Sequence, residues 1–159
     1  IGGDSAGGNL SAGITLKATD EDGPEIAHQA LIYPAVASPA VHEFDSYEEN
    51  AEGYFLETES MEWFVEQYVQ DEIHLRNEYF APLLADDLSG VPSATVLTAE
   101  FDPLRDEGRV YADRLEAEGV DVTHDHYEDM IHGFANMVDM VDAAGDAVDA
   151  LAAELAESF

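Results

Sequence analysis

One run, Ala94-Thr95-Val96-Leu97-Thr98-Ala99, limits what this chain can fold into more than any other. It is nearly continuous in apolar and β-favouring residues, with no polar face. A strand of that kind belongs inside a parallel sheet covered on both sides, since an antiparallel strand with one wet face would alternate. Ala30-Leu31-Ile32-Tyr33, before Pro34, reads as a second buried strand, and Val120 to Tyr127 as a third.

Helical patterns separate these strands. Residues 6–19 carry Ala6, Leu10 and Ile14 on one stripe, with Ala12 and Leu16 beside it, and Gly23-Pro24 breaks the chain. Residues 35–57 read as irregular and acidic. Met61, Phe64, Val65 and Tyr68 recur at helical spacing over residues 60–70, ahead of a loop around Pro82 and Pro92. A further helix starts where Asp106 and Glu107 suit its positive end, takes its apolar face from Val110, Tyr111 and Leu115, and stops at Gly119. Met137, Val141, Val148, Leu151 and Leu155 mark a long C-terminal helix. Strands alternating with helices predict an α/β fold, a mainly parallel sheet with right-handed crossovers and helices on both faces.

Charge excludes several functions. Lys and Arg number 5 against 36 Asp and Glu, a formal net charge of −31, so no basic face for nucleic acid can form and an anionic membrane would repel the chain. Apolar residues at 46% nevertheless provide for a core. The acids are spread along the whole chain and the only lysine is Lys17, a pattern resembling cytoplasmic proteins of extreme halophiles, where molar salt screens carboxylate repulsion. No stretch is long and apolar enough to span a membrane, no secretory leader is visible, and cysteine is absent. A cytoplasmic location is expected.

Chemistry begins at Gly3-Asp4-Ser5-Ala6-Gly7, a G-x-S-x-G pattern. Small residues two before and two after a serine permit a sharp strand-to-helix turn that lifts its hydroxyl into a site. The Ala6 N–H then lies at a helix N-terminus, where it can donate to a developing oxyanion. Serine attacks only when an imidazole takes its proton and a carboxylate orients that imidazole. In the order serine, acid, histidine, Asp102 follows the strand ending near Ala99 and His132 follows the strand ending near Tyr127. Asp106 and Glu107 are rival acids, but favouring the positive end of a helix accounts for them. His28, His42, His74, His124 and His126 lack the loop position. His124 and His126 share one face of a strand, which admits a metal pair, though no third ligand is evident.

Gly2-Gly3-Asp4-Ser5-Ala6-Gly7-Gly8-Asn9-Leu10, Asp102-Pro103-Leu104-Arg105-Asp106-Glu107-Gly108 and His132-Gly133-Phe134 together resemble motifs of the hormone-sensitive-lipase-like carboxylesterases. Tyr33-Pro34 and Leu97-Thr98-Ala99-Glu100 extend the resemblance through essentially the whole chain. It implies an α/β-hydrolase fold with Ser5 as nucleophile, Asp102 as acid, His132 as base, a small-molecule ester as substrate, and neither metal nor other cofactor. Asp129 and Ala81 depart from it, standing where such proteins often carry glycine and serine. The family's His-Gly-Gly-Gly oxyanion loop, first strands and cap are not found. Residues 1–159 are therefore expected to be one partial domain with its start upstream, a poor ester hydrolase by itself. The alternative is a non-catalytic, small-molecule-binding protein of the same fold; retention of all three candidate residues favours the enzyme.

Overall fold

The computed structural model describes residues 1–158. Four strands, β1 (Gly2–Asp4), β2 (His28–Ile32), β3 (Ser93–Phe101) and β4 (Val122–Ile131), form one sheet in the order β1-β2-β3-β4 with every pairing parallel. Five α-helices connect or follow them: α1 (Ala6–Asp20), α2 (Asp45–Glu49), α3 (Thr58–Tyr68), α4 (Arg105–Ala117) and α5 (Asp142–Glu157). Short 3₁₀ turns occupy Glu72–Arg76, Pro82–Leu84 and Phe134–Asn136.

Alternation along β3 divides the core. Ala94 and Val96 join Leu31 and the buried faces of α1 and α4, including Leu16, Tyr111 and Leu115. Leu97 and Ala99 point the other way, toward Phe134 and the Ala144 and Ala147 face of α5. The central strand is thus buried on both sides by helices, as its composition predicts. Gly119 ends α4 with φ +88°. Its N–H bonds Glu116 O at 3.0 Å and that of Val120 bonds Leu115 O at 3.0 Å, the paired bonds of a Schellman cap.

Four expectations need correction. Leu10 and Ile14 do not form the buried stripe of α1; each is 50% exposed, and Ala12 and Leu16 with small neighbours face the core. Close approach explains the inversion: a Cβ on Gly8 would lie 2.8 Å from Pro34 Cβ, and one on Gly13 2.3 Å from Tyr79 O, so this face accepts little bulk. The apolar residues of α3 are likewise not core, since no residue of that helix is buried. The C-terminal helix starts at Asp142, not at Met137, because residues 137–141 fold as a separate turn, with the Met140 and Val141 N–H groups both bonding Met137 O, and Val141 is extended at φ −134°. Residues 35–57 also contain the short α2. Among the described residues no helix is long and apolar enough to cross a membrane.

Candidate active site

Ser5 follows β1 and precedes α1, in a turn that forces its backbone to φ 52°, ψ −117°. A non-glycine residue held there stores strain, the signature of a sharp strand-to-helix elbow. Gly3 makes the turn possible, for a Cβ on it would meet the backbone of Gly7 at 2.5 Å. Gly7 itself is not crowded, its nearest neighbour being Asp4 Oδ1 at 4.0 Å, so the tight glycines are Gly3 and Gly8 rather than Gly3 and Gly7. Ala6 is the first residue of α1, where backbone N–H groups lack intrahelical acceptors.

Asp102 and His132 arrive at the same end of the sheet, after β3 and β4. Asp102 is fully buried, with Oδ1 accepting the Leu104 N–H at 2.8 Å and Oδ2 2.7 Å from His132 Nδ1. A buried carboxylate accepts there, so Nδ1 carries the proton and Nε2 is free to accept. His132 Nε2 lies 3.0 Å from Ser5 Oγ. Residues separated by as many as 127 positions are thereby joined in one hydrogen-bonded series.

Its surroundings hold that series in place. Tyr33 leaves β2 with φ 35° and lays its ring 4.6 Å from the imidazole of His132. Burial, with Asp4 and Asp102 nearby, raises the Tyr33 hydroxyl pKa, so it remains a neutral phenol beside the imidazole. Asn136 Nδ2 donates to Asp4 Oδ2 at 3.0 Å, linking the His132 loop to the elbow. Asn50 Nδ2 donates to the carbonyls of Glu100 and Asp102, both at 3.1 Å. Asn9 Nδ2 donates at 2.7 Å to each of Ala35 O and Phe80 O, fixing two walls beside Ser5.

The rival acids lie outside this series but do more than face a helix terminus. Burial pushes Asp106 up, yet hydrogen bonds from Arg105 and Ser46 outweigh it and hold the carboxyl below its ordinary value. Glu107 is buried; Oε1 accepts the Val36 N–H at 2.8 Å and Oε2 the Tyr47 hydroxyl. Its burial raises the carboxyl to about 7 despite those donors. Glu107 therefore ties α4 to the cleft wall, a role its place at a helix start conceals.

His124 Nε2 and His126 Nδ1 do share a face, but each lies 2.9 Å from Thr98 Oγ1, and His126 Nε2 lies 2.9 Å from Glu100. Burial first, then His126, lowers the pKa of His124. Among the described residues no group of three His, Asp or Glu is placed to hold a metal ion.

A cleft of about 610 Å³ opens at Ser5 and is largely apolar, walled by Leu10, Met61, Phe64, Val65, Tyr68 and Phe80. Leu10 of α1 and the α3 stripe, which miss the core, line this space. Its size and character suit a small apolar ligand.

The α/β-hydrolase fold family matches residues 1–136. The chain belongs to that family. Carboxylesterase NlhH of Mycobacterium tuberculosis is 38% identical over 151 residues, covering 92% of this chain and 46% of its own length. An arylesterase of Saccharolobus solfataricus is 38% identical over 134 residues, 82% of this chain and 42% of the relative. The crystal structure of EstE1, a thermophilic carboxylesterase from a metagenomic library, superposes with a TM-score of 0.94 at 39% identity, covering 99% of this chain and 54% of that one. The chain thus spans about half the length of the relatives it matches, with the α/β-hydrolase architecture its motifs imply.

Proposed function

We propose that the protein is a serine carboxylic ester hydrolase in which Ser5, His132 and Asp102 act as a triad within one α/β-hydrolase domain. The observation that carries this is the position of His132, whose Nδ1 is 2.7 Å from Asp102 and whose Nε2 is 3.0 Å from Ser5 Oγ. His132 takes the Ser5 proton as Oγ attacks the ester carbonyl. The oxyanion forms against the Ala6 N–H at the positive end of α1. Collapse of the tetrahedral adduct breaks the carbon–oxygen bond to the alcohol, which leaves with the proton from His132 Nε2 and an acyl group on Ser5. Water, deprotonated by His132, then attacks the acyl carbon, and the acid departs as Oγ regains its proton. Asp102 keeps Nδ1–H fixed and stabilises the imidazolium.

The relatives named carboxylesterase and arylesterase support the reaction class, and the apolar cleft supports an uncharged ester. A net charge of −31 supports a salt-rich cytoplasm as the working environment. In the intact protein, Ser5→Ala should abolish hydrolysis of a short p-nitrophenyl ester, and Asp102→Asn should lower kcat by about 10⁴. Hydrolysis that survives Ser5→Ala would overturn the assignment.

A further inference from the structure

Between α2 and α3 the chain crosses from the Asp102 loop to the His132 loop. Asn50 anchors one end on the carbonyls of Glu100 and Asp102. Thr58 closes the other, its N–H bonding Ala51 O at 3.1 Å and its hydroxyl bonding Tyr47 O at 2.8 Å. At the tip, the Leu56 N–H bonds Tyr54 O at 2.9 Å, closing a three-residue turn whose centre, Phe55, has φ 72°. That turn is strained for any residue with a side chain.

The turn sends three neighbouring side chains in different directions. Tyr54 stacks on Phe101 with ring centroids 5.0 Å apart, and Leu56 lines the cleft. Phe55 lies over Gly133, where an added Cβ would come within 3.1 Å of its ring, and is still 74% exposed. Burial therefore returns little for the strain of holding a large apolar ring here. The ring is held over Gly133, the residue after His132. His132 Nε2 delivers the proton to the departing alcohol, so the alcohol half of an ester must lie on the His132 side of Ser5.

We propose that Phe55 is a specificity-determining residue for the alcohol half of the ester, offering its face to flat aromatic alcohols over small alkyl ones. This rests on the assignment of Ser5 and His132 given above. A ring stacked on Phe55 gains contact that an ethyl group cannot reproduce, and the acyl half, shared between the two kinds of ester, is untouched.

The test uses the intact protein with phenyl acetate and ethyl acetate, which form the same acetyl-enzyme and differ only in leaving group. Intrinsic reactivity cancels when each variant is divided by the parent. Phe55→Ala should lower the phenyl-to-ethyl ratio of kcat/KM about three- to tenfold. Phe55→Leu, which keeps bulk but not the ring, should also lower it, by less. An unchanged ratio, or equal losses for both esters as expected of a residue that merely props the His132 loop, would overturn the proposal. Ser5→Ala serves as the separate control: if that variant still hydrolysed both esters, the assignment of the site would fail, whereas an inactive Ser5→Ala beside an unchanged ratio would sink the role of Phe55 alone.

Discussion

Changing Glu107 to glutamine should stabilise the protein above neutral pH. The carboxyl titrates near 7 in the fold, chiefly because burial penalises its charge, against an ordinary 4.5. Between those values the native state holds a proton that the unfolded chain has released, so stability falls as pH rises through this window and levels off above about 7. The span is 7 − 4.5 = 2.5 pH units, and at about 1.36 kcal/mol per unit it costs the fold on the order of 3 kcal/mol at pH 8. The amide of Glu107→Gln cannot ionise. Its oxygen can still accept the Val36 N–H and its NH₂ can donate to the Tyr47 oxygen, so both tethers survive with one donor reversed. Parent and variant should be nearly equal near pH 4.5, and the variant more stable by about 3 kcal/mol at pH 8. Denaturant titrations of both proteins in constant molar potassium chloride would measure the difference. His28 and His124, whose imidazoles burial holds below their ordinary pKa, titrate alike in both and cancel. Parallel curves, or a variant weaker at both ends of the range, would refute the reasoning, because the carboxylate would then be anchored as an anion rather than penalised.

Two further outcomes separate the elbow and the charge from their alternatives. Gly3→Ala should cost about 3 kcal/mol and all activity, since its methyl would meet the Gly7 backbone at 2.5 Å, whereas Gly7→Ala, with 4.0 Å of room, should be tolerated; thermal melts of the two variants decide this. The melting temperature should rise between 0.1 and about 2 M potassium chloride as the Debye length falls from about 10 to about 3 Å or less and the 36 carboxylates are screened; a flat profile by circular dichroism would remove the inferred salt requirement.

Much of this arrangement was legible before the fold. Ala94 to Ala99 marked the central strand because burial on both faces leaves no polar alternation, and strand ends located Asp102 and His132 because ligand sites form beyond the carboxyl ends of parallel strands. Leu10 and the α3 stripe misled for one physical reason: helical periodicity identifies an apolar face without saying whether a core or a cleft receives it. Glu107 was hidden because a carboxylate at a helix start is already explained by the dipole, and its burial depends on Tyr47 and Val36, residues distant in sequence. The support that Tyr33 gives His132 depends on a positive φ, which no local pattern announces for a tyrosine.

The most direct test of the account is to treat the intact protein with a fluorophosphonate and locate the adduct by mass spectrometry. Ser5 Oγ, 3.0 Å from a histidine held by a buried aspartate, is the atom that should be phosphonylated, and Ser5→Ala should remain unlabelled. An adduct on any other residue, or labelling undiminished in Ser5→Ala, would contradict the account at its centre.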